Sequence, residues 1–303
     1  MKSRSFVRST RLRSALYARV ARVARVARVA RFASIVALLG LDARTVSAAK
    51  PKGSTSASVS ASVSAGAIKG LKGGALGFVT PGKCPAGMAA IPGGTFNLSG
   101  DVKAVAPFCL DKTEVTVAAY SMCSASGGCL PAWKSCVYPL WTDKQLEGCA
   151  DTCNTGKADR LNHPVNCVDW SQAAAYCAAA GKRLPEHAEW EWAARGGPKG
   201  STYPWGEDPP DAQLCWSGVT LQASTCAVGS FPAGADPWGV NDLAGNLQEW
   251  TATKWVPSTD PLQITKGGTW AANTGAPLAA KNVNADPPLN RHNALGFRCA
   301  KTP

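Results

Sequence analysis

The sequence predicts one compact, disulfide-stapled domain built from short strands and short helices, with little regular secondary structure. Three observations carry this. All 12 cysteines of the 303-residue chain lie at or after Cys84. Helical patterning is confined to short stretches, the clearest between Asp169 and Arg195. Residues 196–303 are rich in Gly, Pro and Trp and keep no sustained period. Their backbone hydrogen bonds must therefore go largely to turns and side chains. An apolar share of 45% against 17% charged residues excludes a disordered chain.

The segment before Cys84 reads differently. Residues 1–48 carry 11 Lys/Arg and one acid, which leaves 21 bases and 19 acids for the rest. Of the net charge of +12 the leader therefore holds +10 and the rest +2, and nucleic acid is not an expected partner of the folded part. A basic start, the short apolar run Phe32–Leu41 and the small residues Val46-Ser47-Ala48 have the layout of a secretory signal over 1–48. The Ala-Arg-Val triplets between Ala18 and Arg31 read as a duplication tolerated there, or as a membrane-surface segment. Residues 49–83 are Ser/Ala/Gly-rich and read as a flexible linker. The folded domain is expected over 84–303. No run of apolar residues is long enough for a transmembrane segment in the mature chain, and the expected location is secreted or periplasmic.

Within the domain, Met88–Leu98 reads as two strands around Pro92-Gly93-Gly94, with glycine supplying positive φ at the turn. Phe108–Val115 is a third strand, and Thr116 caps a helix running through Tyr120 and Cys123. The next helix spans Asp169 or Ser171 to Ala180, Ala-rich and closed by Gly181. Pro185 opens another over Glu186–Arg195, ended by Gly196-Gly197. The tight connection implies that these two helices are neighbours.

An even cysteine count behind an export signal implies up to six disulfides. Zinc is the alternative, through Cys149-x3-Cys153 and Cys123-x5-Cys129 with His163 close by, but no paired Cys-x2-Cys knuckle supports it. Cys84 and Cys109 flank the first hairpin and are expected to pair. Cys215 and Cys226 can close a local loop. Cys123, Cys129, Cys136, Cys149, Cys153 and Cys167 form a dense insert whose connectivity the spacing leaves open.

Several segments together resemble a known family. They are Ile91-Pro92-Gly93-Gly94-Thr95-Phe96, Lys112-Thr113-Glu114-Val115-Thr116, and His163-Pro164-Val165-Asn166-Cys167-Val168-Asp169-Trp170. Gly181-Lys182-Arg183-Leu184-Pro185, Glu189–Gly196 and Tyr203-Pro204-Trp205-Gly206 follow. Ala244-Gly245-Asn246 with Glu249-Trp250, Gly267-Gly268-Thr269-Trp270 and Gly296-Phe297-Arg298-Cys299 complete the order. This series is similar to the formylglycine-generating enzymes, or sulfatase-modifying factors, over about 85–303. The resemblance implies an α+β fold of C-type-lectin-like kind. It also implies an activity: oxidation of a sulfatase cysteine to formylglycine, with oxygen and copper(I) held by two cysteines.

Those cysteines are missing. No cysteine lies between Cys226 and Cys299, and Ala272 and Ala276 (or Pro277) stand where the pair is expected. Without thiolates copper(I) loses its soft ligands, so copper is not expected and no catalytic residue is assigned. Gln248 also stands where the family carries a tryptophan. What remains is a groove, with Thr269, Trp270 and Gln248 as candidates, for an unknown peptide, glycan or envelope protein. An oxidase using other ligands is the alternative reading.

The resemblance further implies a Cys177–Cys299 disulfide and a calcium site from Asp242, Gly245, Leu247 and Glu249, hard oxygens in a tight turn. A plainer account of the same residues has Asp242 capping the turn and Glu249 paired with a base such as Arg298. A second family calcium site is not carried over, because Gln213–Ala227 holds no acid. His163 reads as structural and His187 as surface-facing. Glu189 and Glu191 fall on different helix faces and read as packing rather than catalysis. No Gly-x-Ser-x-Gly elbow is present.

Overall fold

A computed structural model describes residues 82–303, apart from 140, 257 and 259. The proposed signal over 1–48 and nearly all of the linker over 49–83 lie outside the described residues.

The first strand, β1 (Met88–Ile91), does not pair with β2 (Gly94–Leu98). It lies antiparallel to β4 (Phe108–Asp111), which also receives the last strand, β9 (Ala300–Lys301). β2 instead forms a hairpin with β3 (Asp101–Val105), and its tight turn puts Ser99 and Gly100 at positive φ. The expected positive φ at Gly93-Gly94 is corrected here: neither glycine adopts it. Both are needed for closeness. A Cβ on Gly93 would lie 2.7 Å from the Val105 carbonyl oxygen, and one on Gly94 2.6 Å from the Trp192 ring.

The third expected strand stops at Asp111. Thr116 caps α1 (Val117–Ala125) by accepting from the Ala119 amide. A helix the sequence did not reveal, α2 (Asp143–Ala150), starts on a Thr142–Gln145 capping box inside the cysteine-rich insert. α3 (Trp170–Ala179) starts on an Asp169–Gln172 box and is followed by Gly181 at φ 66°. α4 (His187–Ala194) uses Glu186 as its N-cap, with Gly196 at φ 64° after it.

α3 and α4 serve different cores. α4 packs Trp190, Trp192, Ala193 and Ala194 against Ile91, Phe108 and Leu243. α3 packs Ala173 and Cys177 against Tyr120, Trp250, Phe297 and Cys299. Leu184 ends the short connection in the second core, so the chain passes directly from one core to the other.

A second sheet runs in the order β7 (Asn284–Asp286), β6 (Gln263–Lys266), β5 (Gln248–Lys254) and β8 (Leu295–Gly296), with β5 and β8 parallel. Elsewhere residues 196–303 form turns and short 3-10 segments. The fold is thus α+β and irregular, as expected.

Every cysteine is paired: Cys84–Cys109, Cys123–Cys129, Cys136–Cys149, Cys153–Cys167, Cys177–Cys299 and Cys215–Cys226. The 122-residue span closed by Cys177–Cys299 joins α3 to the last turn before β9. Among the described residues no helix is long and apolar enough to cross a membrane.

Candidate functional site

The loop from Asp242 to Leu247 is wound tightly enough to place two non-glycine residues, Asp242 and Asn246, at positive φ (61° and 51°). Buried contacts hold that conformation. Asn246 accepts from the Cys226 amide at 3.0 Å and donates to Glu114 Oε2 at 3.0 Å. Glu114 Oε1 accepts from the Leu247 amide, and Asp242 Oδ2 from the Gly229 amide at 2.7 Å. Just beyond, Glu249 is fully buried. Arg298 Nε and Nη2 grip its carboxylate at 2.8–3.0 Å, and Trp190 Nε1 donates to Oε2 at 2.9 Å. Burial, then the neighbouring Asp242 and Glu249, push the Glu114 carboxyl well above the usual range. Arg298 thus bonds Glu249 directly, while Glu114 and Asp242 feel its charge without touching it.

Of the residues implied for calcium, Asp242 keeps one oxygen outside its contact with Gly229. Glu249 has both of its oxygens engaged by Arg298 and Trp190. The structure therefore realises one half of the plainer account, the Glu249–Arg298 pair; Asp242 accepts from Gly229, in a separate loop, rather than capping the Ala244-Gly245-Asn246 turn.

Gly267 and Gly268, both at positive φ, carry the chain past this loop to Thr269 and Trp270. The Trp270 amide donates to the Asn246 carbonyl, and its indole Nε1 to the Asn293 carbonyl at 3.3 Å. Ala272 packs beside Leu214, Trp216, Ala244 and Leu278. Ala276 opens a short 3-10 turn and faces another cavity, shared with His187 and Lys281. Copper(I) does not fit these positions. A methyl group in an apolar cluster and an exposed alanine offer no donor, and Asn273 and Thr274 offer only hard ones. Zinc fares no better: the Cys136, Cys153 and Cys167 sulfurs cluster, but as members of two disulfides packed together, 3.9–4.0 Å apart.

Of the three groove candidates, Gln248 lines a cavity. This cavity, of about 280 Å³, is bounded by Tyr138, Trp141, Gln248, Asn284, Asp286 and His292. Thr269 and Trp270 stand outside its lining. Its walls come from three places. Tyr138 and Trp141 belong to the cysteine-rich insert, which pairs onto the chain beside His292 through the reciprocal Val137–Arg291 backbone bonds at 2.8 and 3.0 Å. The Cys136–Cys149 disulfide anchors that stretch to α2. Asn284 and Asp286 end β7, and Gln248 opens β5.

The polar groups are chained. Gln248 Nε2 donates to Thr265 Oγ1 at 2.6 Å, and that hydroxyl donates to Asp286 Oδ2 at 3.3 Å. Asn290 Nδ2 donates to Oδ1 at 3.0 Å. His292 Nδ1 accepts from the Ala294 amide, so the neutral ring carries its proton on Nε2. Burial pushes His292 below the ordinary histidine range, which keeps it uncharged at neutral pH. Its ring stands at 89° to Tyr138 and 50° to Trp141, with centroids 5.4 and 5.7 Å away.

Sequence reasoning missed Tyr138, Trp141, Asn284, Asp286 and His292. The one available signal was a Tyr and a Trp three apart inside a cysteine-rich insert. His187 is corrected from surface to interior: its Nε2 meets Glu191 Oε2 at 3.2 Å, and Glu191 also binds Arg195 and the buried Lys266. Glu189 holds Arg183 through two 2.6 Å bonds. His163 bonds Thr225 Oγ1 in a structural corner with Asn154.

Comparison with known proteins places these features. A family model described as sulfatase-modifying factor enzyme 1-like domain matches residues 79–303. Over 161 residues the chain is 37% identical to an inactive C-alpha-formylglycine-generating enzyme 2 from Bos taurus, covering 48% of this chain and 52% of the relative. It therefore spans about half the length of that relative. It is 28% identical over 299 residues to a formylglycine-generating enzyme from Thermomonospora curvata, covering 74% and 96%. The crystal structure of CarF superposes with a TM-score of 0.56 at 21% identity, over 72% of this chain and 99% of that one. That likeness is one of fold.

Proposed function

The chain belongs to the sulfatase-modifying factor family, and from that premise we propose that it is a non-catalytic binding module. The observation that carries this is the absence of sulfur where the resemblance puts the copper ligands. All twelve cysteines are committed to six disulfides elsewhere, Ala272 packs in an apolar cluster and Ala276 borders the cavity of His187 and Lys281. The binding site in this reading is the cavity under Tyr138 and Trp141, open to a peptide, a glycan or an envelope protein.

Two measurements test it. A sulfatase-type cysteine peptide incubated with the protein, copper and oxygen should keep its mass; conversion to formylglycine would restore the oxidase reading. Peptide and glycan arrays probed with wild type and Trp141→Ala should differ; equal binding would remove the cavity.

Calcium belongs to the same proposal. Its support is the surplus of carboxylates, with Glu114, Asp242 and Glu249 set against Arg298 alone. With Glu249 held by Arg298, the donors left for a hard cation are Asp242 and the Gly245 and Leu247 carbonyls.

Six disulfides fit an extracellular or lumenal protein. Export through residues 1–48 is the finer proposal. Fractionation of cells producing the full chain should recover a shortened form outside the cytoplasm.

A further inference from the structure

We infer that the cavity under the cysteine-rich insert takes an organic ammonium group. The inference rests on the cavity being a binding site and adds the chemistry of its ligand. Asp286 is 7% exposed, lines the cavity and has no cationic partner among the described residues. Its contacts are two neutral donors, Asn290 and Thr265. A carboxylate buried without a counter-charge is costly, and a cation arriving from solution offsets that cost.

The rest of the lining suits such a guest. No Lys or Arg lines the cavity. The neighbouring Arg291 is turned away, onto the Trp133 ring and the Ser135 carbonyl. His292, the remaining basic group, is held neutral by burial. Tyr138 and Trp141 meet at 45° with centroids 5.0 Å apart, and His292 closes the angle. Three rings at steep angles make a corner rather than a stack, the kind of surface that receives an ammonium head group through its ring quadrupoles. A volume of about 280 Å³ admits a small head group, whether a free quaternary amine or the end of a lysine side chain.

The test uses the intact protein and three probes: choline, butylammonium and 3,3-dimethyl-1-butanol, the uncharged match of choline. Titration calorimetry should show an ammonium probe binding at least about tenfold more tightly than the alcohol. Choline ahead of butylammonium assigns a quaternary ligand, and the reverse order a lysine-type one. Asp286→Asn should abolish the preference for charge, and Trp141→Ala should weaken binding of the charged probes. Unchanged melting temperatures establish that both variants fold. Equal binding of the alcohol, full affinity in Asp286→Asn, or no binding of either cation overturns the inference. A neutral glycan or peptide captured from the arrays in a Trp141-dependent way would defeat the ammonium claim while leaving the binding-module reading intact.

Discussion

Arg298 and Glu249 form a fully buried ion pair, both at 0% side-chain exposure, with a closest N···O distance of 2.8 Å. The pair joins the start of β5 to the Gly296-Phe297-Arg298-Cys299 segment. It also draws in Trp190 from α4 and the Asp111 and Asn241 carbonyls. Glu249→Gln would leave the guanidinium buried against an uncharged partner. The expected loss is about 3–5 kcal/mol in denaturant unfolding. A loss under 1 kcal/mol would mean that the pair is dispensable.

Lys266 gives the fold a pH dependence on the alkaline side. It is buried against Glu191 Oε2 at 3.0 Å and the Asn282 carbonyl at 2.7 Å, and burial pushes its ammonium down to about 8. The folded value lies below the ordinary lysine value of 10.5, so the folded state releases its proton first. Stability from this group therefore rises as pH climbs from 8 towards 10.5, and below 8 the fold bears the full cost of the buried charge. Chemical unfolding between pH 8 and 9.5 should show this slope, and Lys266→Met should flatten it.

The Cys177–Cys299 bridge should matter more than the local staples. In the chain-entropy account its 122-residue span contributes about 4–5 kcal/mol, against roughly 2 kcal/mol for the six-residue span of Cys123–Cys129. Paired Cys→Ala variants compared by urea unfolding would rank them. A larger loss from the Cys123–Cys129 variant would contradict the entropic account.

Gly94→Ala tests the close approach to Trp192. The new methyl would sit 2.6 Å from the ring, and relief requires moving a core tryptophan. The expected cost is about 1–3 kcal/mol. A neutral result would show that the β2 backbone shifts freely.

Calcium should raise the melting temperature, and a chelator should reverse the effect. At a hundredfold excess over its dissociation constant a ligand specific for the folded state adds about 2.7 kcal/mol. Asp242→Asn should remove the response. An unchanged melting curve in calcium would rule out a site there.

Much of the frame was legible because it rests on local chemistry. Asp169 with Gln172, and Thr116 before α1, announce helix starts through side chains a few residues apart. Gly181 and Gly196 mark where helices stop. The family motifs and the lack of any cysteine between Cys226 and Cys299 are also plain in the chain. α2 was not legible, because its eight residues include Gly148 and offer only one turn of apolar spacing, Leu146 and Cys149, inside a cysteine-rich insert.

The sequence by itself determined the α+β character, the family and the loss of the sulfur ligands, since each depends on which residues are present and in what order. Tertiary structure alone decided the strand partners, the disulfide pairs within the insert, the interior place of His187 and the cavity. These depend on contacts between distant segments, as where Tyr138, Gln248, Asp286 and His292 line one cavity. Spacing along the chain carries no information about such meetings, because close approach is set by how separate hydrophobic faces pack.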